Sequence, residues 1–218
     1  MKLGKILHVF KYYRWDLRGI YRFIKYNFFS SHIRSKGGYF YPSSNIELSF
    51  ASGAVIELYG SFKVGVPITS CSKTLSRLIM KPYSRIVVNE KLEILEGCDI
   101  QIYDNASLYV DNFHSNINLE ITCGYLIRLL GTVTAGRHVR IKDFNGHEVS
   151  YKGYPYKKEV IAENHTWLCT GSTINPGVFI ASGSVVADNA NVVESIPPVS
   201  LVQGNPAQVV ASEITFKI

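Results

Sequence analysis

One histidine of this sequence, His147, lies where it could act as a general base. It ends the polar part of the segment VRIKDFNGHEV and directly precedes a stretch rich in Tyr, Gly, Pro and Lys. Histidine is the side chain whose ordinary pKa lies nearest neutrality, so it can take a proton from a hydroxyl group at physiological pH. The alternative is that His147 simply caps a turn in the sequence Asn-Gly-His.

The other candidates for chemistry are weaker. His165, in the segment NHTW, could contact a ligand or lie in a turn, and His114 and His138 are typical of surface or corner positions. The separation of His147 and His165 could suit a metal site with three histidines, but further ligands at matching spacing are missing, so no metal is expected. The widely separated cysteines form no Cys-x-x-Cys pair, which favours reduced thiols: Cys71, Cys98, Cys123 and Cys169.

The elements that must position these residues are short strands in a six-residue repeat. From residue 162 the chain divides without a gap into AENHTW, LCTGST, INPGVF, IASGSV and VADNAN, followed by Val192. The leading residue is aliphatic in every hexad, and the fifth is small or β-branched. This pattern predicts triangular coils of three strands, in which each leading side chain points inward and stacks on its equivalent three hexads later.

Fainter copies of the repeat extend upstream. The same spacing of six relates Phe50, Ile56 and Phe62, and it relates Leu129, Ala135 and Ile141. Residues 86–122 look rich in strands but follow no single frame. The repeat is lost near 65–85 and 148–160, so the sequence predicts a domain over residues 37–218 with two excursions at these places.

Residues 1–36 form a basic arm and linker before this domain. The whole chain has a formal net charge of +6, but nine Lys or Arg against Asp16 give the arm +8, which leaves −2 for the rest. The basic character therefore belongs to the arm and does not indicate a nucleic-acid partner. The apolar fraction of 46% excludes a disordered chain.

Within the arm, the periodicity predicts one amphipathic helix over residues 2–28. Apolar side chains recur every three or four residues, and basic side chains form a second stripe at the same period. The apolar face could pack on the body or a neighbouring subunit, or it could contact an anionic membrane. No apolar run is long enough for a transmembrane helix, and charges interrupt any signal peptide. The sequence therefore predicts a cytoplasmic protein and leaves open whether it contacts the inner face of the cell membrane.

The C-terminal segments HTWLCTGSTINPGVFIASGSVV and IPPVSLVQGNPAQVV resemble the hexapeptide-repeat acyltransferases, in the branch that acetylates sugars and polysaccharides. The resemblance covers about residues 44–210. It implies an all-β fold, the left-handed parallel β-helix. It also implies transfer of acetyl from acetyl-CoA to a hydroxyl of a sugar or glycan precursor of capsule, lipopolysaccharide or a related polysaccharide, in a homotrimer with sites between subunits.

The same resemblance assigns the acceptor site. It places the catalytic histidine at His147 and a supporting carboxylate at Asp143, because the segment is similar to the family's Asp-x-Asp-x-His element. Asn145 replaces the second aspartate and remains able to bind a sugar by hydrogen bonds. His165 falls where the family contacts substrate or cofactor. Aromatic faces in the second excursion would stack on pyranose rings: Tyr151, Tyr154 and Tyr156.

The resemblance also implies a coenzyme A groove along the last coils, lined or shaped by Trp167, Thr170, Gly171, Ala187, Asn205 and Pro206. The family usually has lysines where this chain has Glu194 and Gln208. Phosphate contacts must then come from Lys157, Lys158 or the arm, or the affinity is low, or the donor differs. Trp167 could instead pack at a corner. Two other functions stay open: N-acetylation of an amino sugar on the same scaffold, and a non-catalytic scaffold.

Overall fold

A computed structural model describes residues 9–148 and 156–217, which form a left-handed parallel β-helix preceded by an α-helix. The elements within these ranges are α1 (Leu17–Phe29) and the strands β1 (Ile33–Ser35), β2 (Phe40–Pro42), β3 (Ile46–Phe50), β4 (Val55–Leu58), β5 (Ser61–Val66), β6 (Ser76–Met80), β7 (Arg85–Leu95), β8 (Asp99–Ile102), β9 (Ser107–Ser115), β10 (Glu120–Cys123), β11 (Leu126–Ala135), β12 (Arg140–Lys142), β13 (Val160–Ala162), β14 (Thr166–Leu168), β15 (Thr173–Ile174), β16 (Phe179–Ile180), β17 (Val185–Val186), β18 (Asn191–Val192), β19 (Ser200–Gly204) and β20 (Ala207–Ser212).

The strands stack into three faces that the chain visits in turn. Face A contains β1, β4, the first halves of β7, β9 and β11, then β13 and β16. Face B contains β2, β5, the second halves of the same long strands, then β14, β17 and β19. Face C contains β3, β6, β8, β10, β12, β15 and β18. The corners between them are called AB, BC and CA below.

The hexads from residue 162 behave as the repeat predicts. Ala162 lies opposite Ile180 and Leu168 lies opposite Val186 in neighbouring strands, so each partner is the leading residue three hexads later. The leading side chains of all five hexads are at most 1% exposed, and the fifth side chains are equally buried. No coil could bury these apolar edges alone, so stacking supplies the core. The stacking confirms the predicted repeat, and the all-β fold, a left-handed parallel β-helix, is confirmed as well.

The upstream coils are longer, which explains why one frame of six does not fit them. Leu108 pairs with Ile86 in the preceding coil and with Ile127 in the following coil, and neither spacing is a multiple of six. The extra residues lie partly in bulges where the long strands turn the AB corner, such as the one between Val88 and Lys91. The interior nevertheless remains continuous through a column of fully buried side chains: Phe40, Phe62, Leu92, Phe113 and Val133.

The two predicted excursions differ in extent from the sequence pattern. In the first, β5 continues to residue 66 and β6 resumes at 76, so only residues 67–75 form a loop. The second begins after β12 and ends before β13, with residues 149–155 outside the described ranges. The β-helix itself begins before the predicted boundary at residue 37, because β1 already pairs with β4.

The prediction of one continuous helix over residues 2–28 is wrong. A first helical turn ends where Arg14 and Trp15 adopt positive φ values of 48° and 67°, a left-handed conformation that cannot continue a right-handed helix. Asp16 then caps α1 by accepting a hydrogen bond of 3.1 Å from the Arg18 N–H. Residues 1–8 lie outside the described ranges.

Within α1, Ile20 is the one residue of the predicted apolar stripe that packs on the body. Ile20 and Phe23 are buried, and the Phe23 ring lies 5.1 Å from that of Tyr41 at the edge of face B. Leu17 and Phe28, which belong to the predicted apolar face, are 74% and 50% exposed. The helix therefore has one apolar side on the body and another in solvent.

Candidate functional site

His147 lies on a projection from the CA corner whose base is firmly anchored. Phe144 and Lys157 form an antiparallel bridge across the base. The Asn145 N–H donates to the Tyr156 carbonyl at 3.0 Å, and the Lys158 N–H donates to the carbonyl of the residue after β12 at 2.9 Å. His147 follows two residues beyond this base and is exposed, which makes its imidazole accessible to a substrate.

Aromatic packing fixes the base of the projection against the coil below. The Phe144 ring lies 4.9 Å from the Tyr103 ring and 5.8 Å from the Tyr156 ring. It also covers Gly124, where a Cβ atom would approach the Phe144 ring to 2.6 Å, so a larger residue does not fit. Tyr156 keeps 39% of its surface exposed beside Asn145, as an acceptor platform requires. The predicted platforms Tyr151 and Tyr154 lie outside the described residues.

Asp143, the predicted supporting carboxylate, is fully buried under this projection. Its two oxygens accept hydrogen bonds from the backbone N–H groups of Gly124, at 2.6 Å, and Tyr125, at 2.9 Å. The thiol of Cys123 donates to it at 3.5 Å. Burial raises the pKa of Asp143, although the backbone N–H donors act against this. In the structure this carboxylate joins two coils at the root of the projection, and its described hydrogen bonds do not include the His147 ring.

Asn145 is held beside the same root. Its side-chain oxygen accepts a hydrogen bond of 3.1 Å from the Lys142 ammonium group. Lys142 is the last residue of β12, so the amide is tied to the rigid wall of face C. A fixed amide this close to the strand can orient a sugar hydroxyl beside the projection.

His165 lies at the AB corner, where it contacts the C-terminal tail. Its Nε2 lies 3.1 Å from the Phe216 carbonyl oxygen, so this nitrogen carries the proton and donates. The two rings also stack, with centroids 4.3 Å apart. Trp167, on the outer side of face B and 40% exposed, lies 6.2 Å from the same phenyl ring. No local sequence signal indicates Phe216, because the contact joins residues 51 positions apart.

The other predicted coenzyme A residues gather at the BC corner. Gly171 has a φ of 72°, and a Cβ atom there would collide with the side-chain oxygen of Asn189, so the tight turn requires glycine. One coil further, the Ala187 N–H donates to the Val202 carbonyl at 2.9 Å. Thr170 precedes the glycine at this corner and is exposed.

The turn between β19 and β20 closes this line of residues. The Asn205 side-chain oxygen accepts a hydrogen bond of 2.9 Å from the Asn191 amide, which ties the turn to face C. Asn205, Pro206 and Gln208 are exposed there, and Glu194 is exposed beyond β18. The predicted donor residues thus share face B and the BC corner.

Among the described residues, the predicted acceptor and donor residues do not come together within one chain. His147 and Asp143 lie at the CA corner, between β12 and β13, whereas Thr170, Ala187 and Asn205 lie at the BC corner. His165 lies at the third corner.

Two further observations concern the described residues alone. No three His, Cys, Asp or Glu side chains among them are grouped so that they could hold a metal ion. No helix in these ranges has the length and apolar character needed to cross a membrane.

Comparison with known proteins places this chain in a family. No protein-family model matches it. The galactoside O-acetyltransferase of Lactococcus lactis subsp. lactis is 30% identical over 143 residues, which cover 60% of this chain and 69% of that enzyme. A probable macrolide acetyltransferase of Lysinibacillus sphaericus is 39% identical over 54 residues, 25% of this chain. The chain spans 30% of that second protein and 56% of another curated relative.

The fold has a matching solved structure. The crystal structure of the polysialic-acid-specific acetyltransferase NeuO superposes with a TM-score of 0.53 and 18% identity, over 81% of this chain and 84% of that one. Together with the stacked hexads and the galactoside O-acetyltransferase match, this likeness identifies the class. The chain belongs to the hexapeptide-repeat acetyltransferase superfamily, which confirms the resemblance of its C-terminal coils.

Proposed function

We propose that this protein is an acetyltransferase that moves an acetyl group from acetyl-CoA to a hydroxyl of a sugar or glycan precursor. The observation that carries the proposal is an exposed histidine on an anchored projection of a hexapeptide-repeat coil. The 30% identity to a galactoside O-acetyltransferase supports a sugar acceptor.

In the proposed mechanism His147 takes the proton of the acceptor hydroxyl as the oxygen attacks the thioester carbonyl carbon. The new C–O bond forms, the C–S bond breaks, and the departing thiolate receives a proton, so the products are the acetyl ester and coenzyme A. A backbone N–H at the corner stabilises the oxyanion that develops. Asp143 acts as a positioning residue, because its hydrogen bonds hold the root of the projection.

We also propose that the active site forms between copies of the chain, in a homotrimer. The support comes from the placement of His147 at the CA corner and of Thr170 and Ala187 at the BC corner. When prisms of this shape assemble around a common axis, the CA corner of one copy can face the BC corner of the next. Each site then receives its base from one subunit and its donor groove from another.

The acyl donor would lie along the BC corner and face B, close to Trp167. The cations that usually meet the nucleotide phosphates are replaced by Gln208 and Glu194. Lys157 and Lys158, both exposed at the base of the projection, supply alternative cations. In a trimer these two lysines come from the neighbouring subunit, on the side where the donor enters.

The exposed side of α1 supports contact with an anionic membrane from the cytoplasm. At 100° per residue, four large apolar side chains fall within about 60° of one another around the helix axis. They are 42–74% exposed: Leu17, Tyr21, Ile24 and Phe28. Arg18 and Lys25 flank this stripe and are also exposed. A surface that joins aromatic residues to cations suits the headgroup region of an anionic bilayer, which would bring the enzyme to lipid-linked glycans.

An acceptor screen tests the proposed activity. The purified full chain is incubated with labelled acetyl-CoA and a panel of sugars, amino sugars, sugar nucleotides and lipid-linked glycans. We expect ester formation, and we expect His147→Asn to lower kcat by at least about 100-fold, the usual contribution of a general base. Circular dichroism and the mass of the oligomer should not change.

The matched control is His138→Asn, which changes an exposed histidine at the BC corner that also has a positive φ of 56°. Because His138 lies on the corner of the proposed donor groove, a second control is His32→Asn, at a half-buried histidine directly before β1 and far from the proposed site. His32→Asn should keep wild-type turnover. Full turnover by His147→Asn would contradict the assigned base, and transfer to amines alone would replace the O-acetyltransferase by an N-acetyltransferase. No transfer to any acceptor, with no binding of acetyl-CoA, would favour a scaffold.

A further inference from the structure

A cavity of about 700 Å³ lies at the N-terminal end of the BC corner, far from the projection that carries His147. Its walls are the turn before α1 (residues 11–16), the segment after β2 (residues 43–45), the end of β5 with the following loop (residues 65–74), and Glu96. This volume is typical of sites for small molecules. The mechanism proposed above does not use any of these residues.

The turn before α1 supplies an aromatic wall to the cavity. The Tyr13 hydroxyl donates to the Pro42 carbonyl at 3.0 Å, which fixes this ring against the body. Tyr12 packs edge-on against it, with centroids 4.9 Å apart. Trp15 lies at the mouth with 71% of its surface exposed, because the positive φ values at Arg14 and Trp15 turn the chain there. An exposed indole beside an aromatic wall is a platform on which the apolar face of a sugar ring can stack.

The opposite wall offers hydrogen-bonding groups that are not fully used. Serine and threonine side chains that are half-buried or exposed line it at Ser44, Ser70 and Thr74. Glu96 is only 9% exposed and forms no ion pair with them. The loop over the cavity is ordered, since the Asn45 amide donates to the Lys73 carbonyl. Hydroxyl side chains beside a carboxylate suit a ligand that is rich in hydroxyl groups.

We propose that this cavity is a glycan-binding subsite that holds one pyranose unit of an extended acceptor. Trp15 would stack on the sugar ring, and Glu96 would accept hydrogen bonds from its hydroxyl groups. The subsite deepens the proposed function, on which it rests, because it defines the acceptor as an oligosaccharide or polysaccharide. A monosaccharide bound at the His147 projection would leave it empty.

The stacking of the coils gives the length that such an acceptor must have. Glu96 follows β7 and Thr170 follows β14, and both lie at the BC corner. Three strand steps separate β7 from β14 on face B. At about 4.8 Å per step, the cavity and the proposed donor groove are about 14 Å apart along the corner. A single sugar ring cannot span this distance, so a chain of several sugars is needed.

Binding without acetyl-CoA tests the subsite separately from catalysis. The probes are two series of oligosaccharides, neutral β1,4-linked N-acetylglucosamine and anionic α2,8-linked sialic acid, each from the monosaccharide to the octasaccharide. Calorimetry on the full chain should show affinity that rises with length in at least one series. Trp15→Ala should weaken binding of the longest ligand by about threefold to tenfold, the effect of losing one aromatic stacking contact.

Glu96→Gln is the second variant, and it should weaken binding of the same ligand without loss of folding, because Glu96 forms no ion pair within the described residues. Tyr59→Ala is the matched control, since it removes a 51% exposed aromatic ring at the AB corner, and it should bind as the wild type does. The subsite is contradicted if no oligosaccharide binds, or if the Trp15 and Glu96 variants bind normally. Length-dependent binding that requires Trp15, in a chain that acetylates no acceptor, would instead contradict the proposed function and keep the subsite.

Discussion

Replacement of Asp143 by alanine should destabilise the protein even though this residue resembles part of a catalytic element. The substitution removes the acceptor of two backbone N–H groups, those of Gly124 and Tyr125, from a position with no solvent exposure. Each buried donor left without a partner costs about 1–3 kcal/mol. Removal of a buried charge, whose cost is visible in the raised pKa of Asp143, offsets part of this. We therefore expect the free energy of unfolding to fall by about 2–4 kcal/mol.

Chemical denaturation followed by circular dichroism measures this loss, and steady-state transfer on the fraction that remains folded measures the catalytic effect. Asp143→Asn should cost less than the alanine variant, because its amide oxygen still accepts one of the two hydrogen bonds. Asp104→Ala, at an exposed aspartate on a neighbouring coil, is the control and should change stability little.

The pH dependence follows from the raised pKa of Asp143. The folded chain takes up this proton at higher pH than the unfolded chain does. The resulting stabilisation is complete below the unfolded pKa of the carboxyl group and is lost as the pH rises through the folded pKa. The wild type should therefore lose its stability advantage over Asp143→Asn as the pH rises from the unfolded pKa to the folded pKa of this carboxyl group. A fully stable Asp143→Ala protein that has lost only turnover would refute the reasoning, because it would place the carboxylate in the chemistry.

Two further predictions concern α1 and the tail. The double variant Leu17→Glu, Phe28→Glu should lower co-sedimentation with phosphatidylglycerol vesicles by at least about tenfold, since it puts charge into the exposed apolar stripe. The control Val193→Glu, at a residue that is 47% exposed beyond β18, should not lower it. Unchanged sedimentation of the double variant would rule out this membrane surface. Phe216→Ala should lower the KM for acetyl-CoA a few-fold, because the phenyl ring covers His165 and Trp167. The control Phe216→Tyr should keep the wild-type KM. A raised KM in the alanine variant would mean that the ring helps to bind the donor.

The C-terminal coils could be predicted from sequence because nothing interrupts their spacing. From residue 162 to residue 192 each coil consists of three hexads, so the buried positions recur with the sequence period. The last coil is two residues shorter, because Val186 pairs with Val202. Upstream, bulges such as the one between Leu129 and Thr132 add residues at the AB corner. The side chains there still alternate inward and outward along each strand, but a fixed period of six no longer marks them.

The arm was mispredicted because periodicity does not reveal which of two apolar sides of a helix packs. The regular spacing of apolar residues continues through Arg14 and Trp15, where the backbone leaves the helix. Gly19 then decides the packing side, since the Tyr13 ring lies where a Cβ atom of that residue would be. From the sequence alone, a glycine in a helical pattern does not show which side of the helix packs, because that depends on the tertiary contact.

The candidate site was only partly accessible to sequence analysis. The position of His147 on a projection follows from the break in the repeat. The backbone partners of Asp143 belong to the previous coil, and the contact between His165 and Phe216 joins positions 51 apart in the chain. Such partners depend on the length of each coil and on the path of the tail, which local patterns do not specify.

The reversed direction of β20 has a consequence for how this protein behaves in a crowded solution. All other pairings described for the coils are parallel, so the end of such a stack would present a template on which another parallel strand could add. β20 runs antiparallel to β19, with an irregular register between Leu201 and Val202. The last strand of face B is therefore β20, which runs opposite to the other strands of that face and has an interruption in its hydrogen-bond pattern with β19. On face B, this strand should therefore oppose the end-to-end addition of a second copy of the chain.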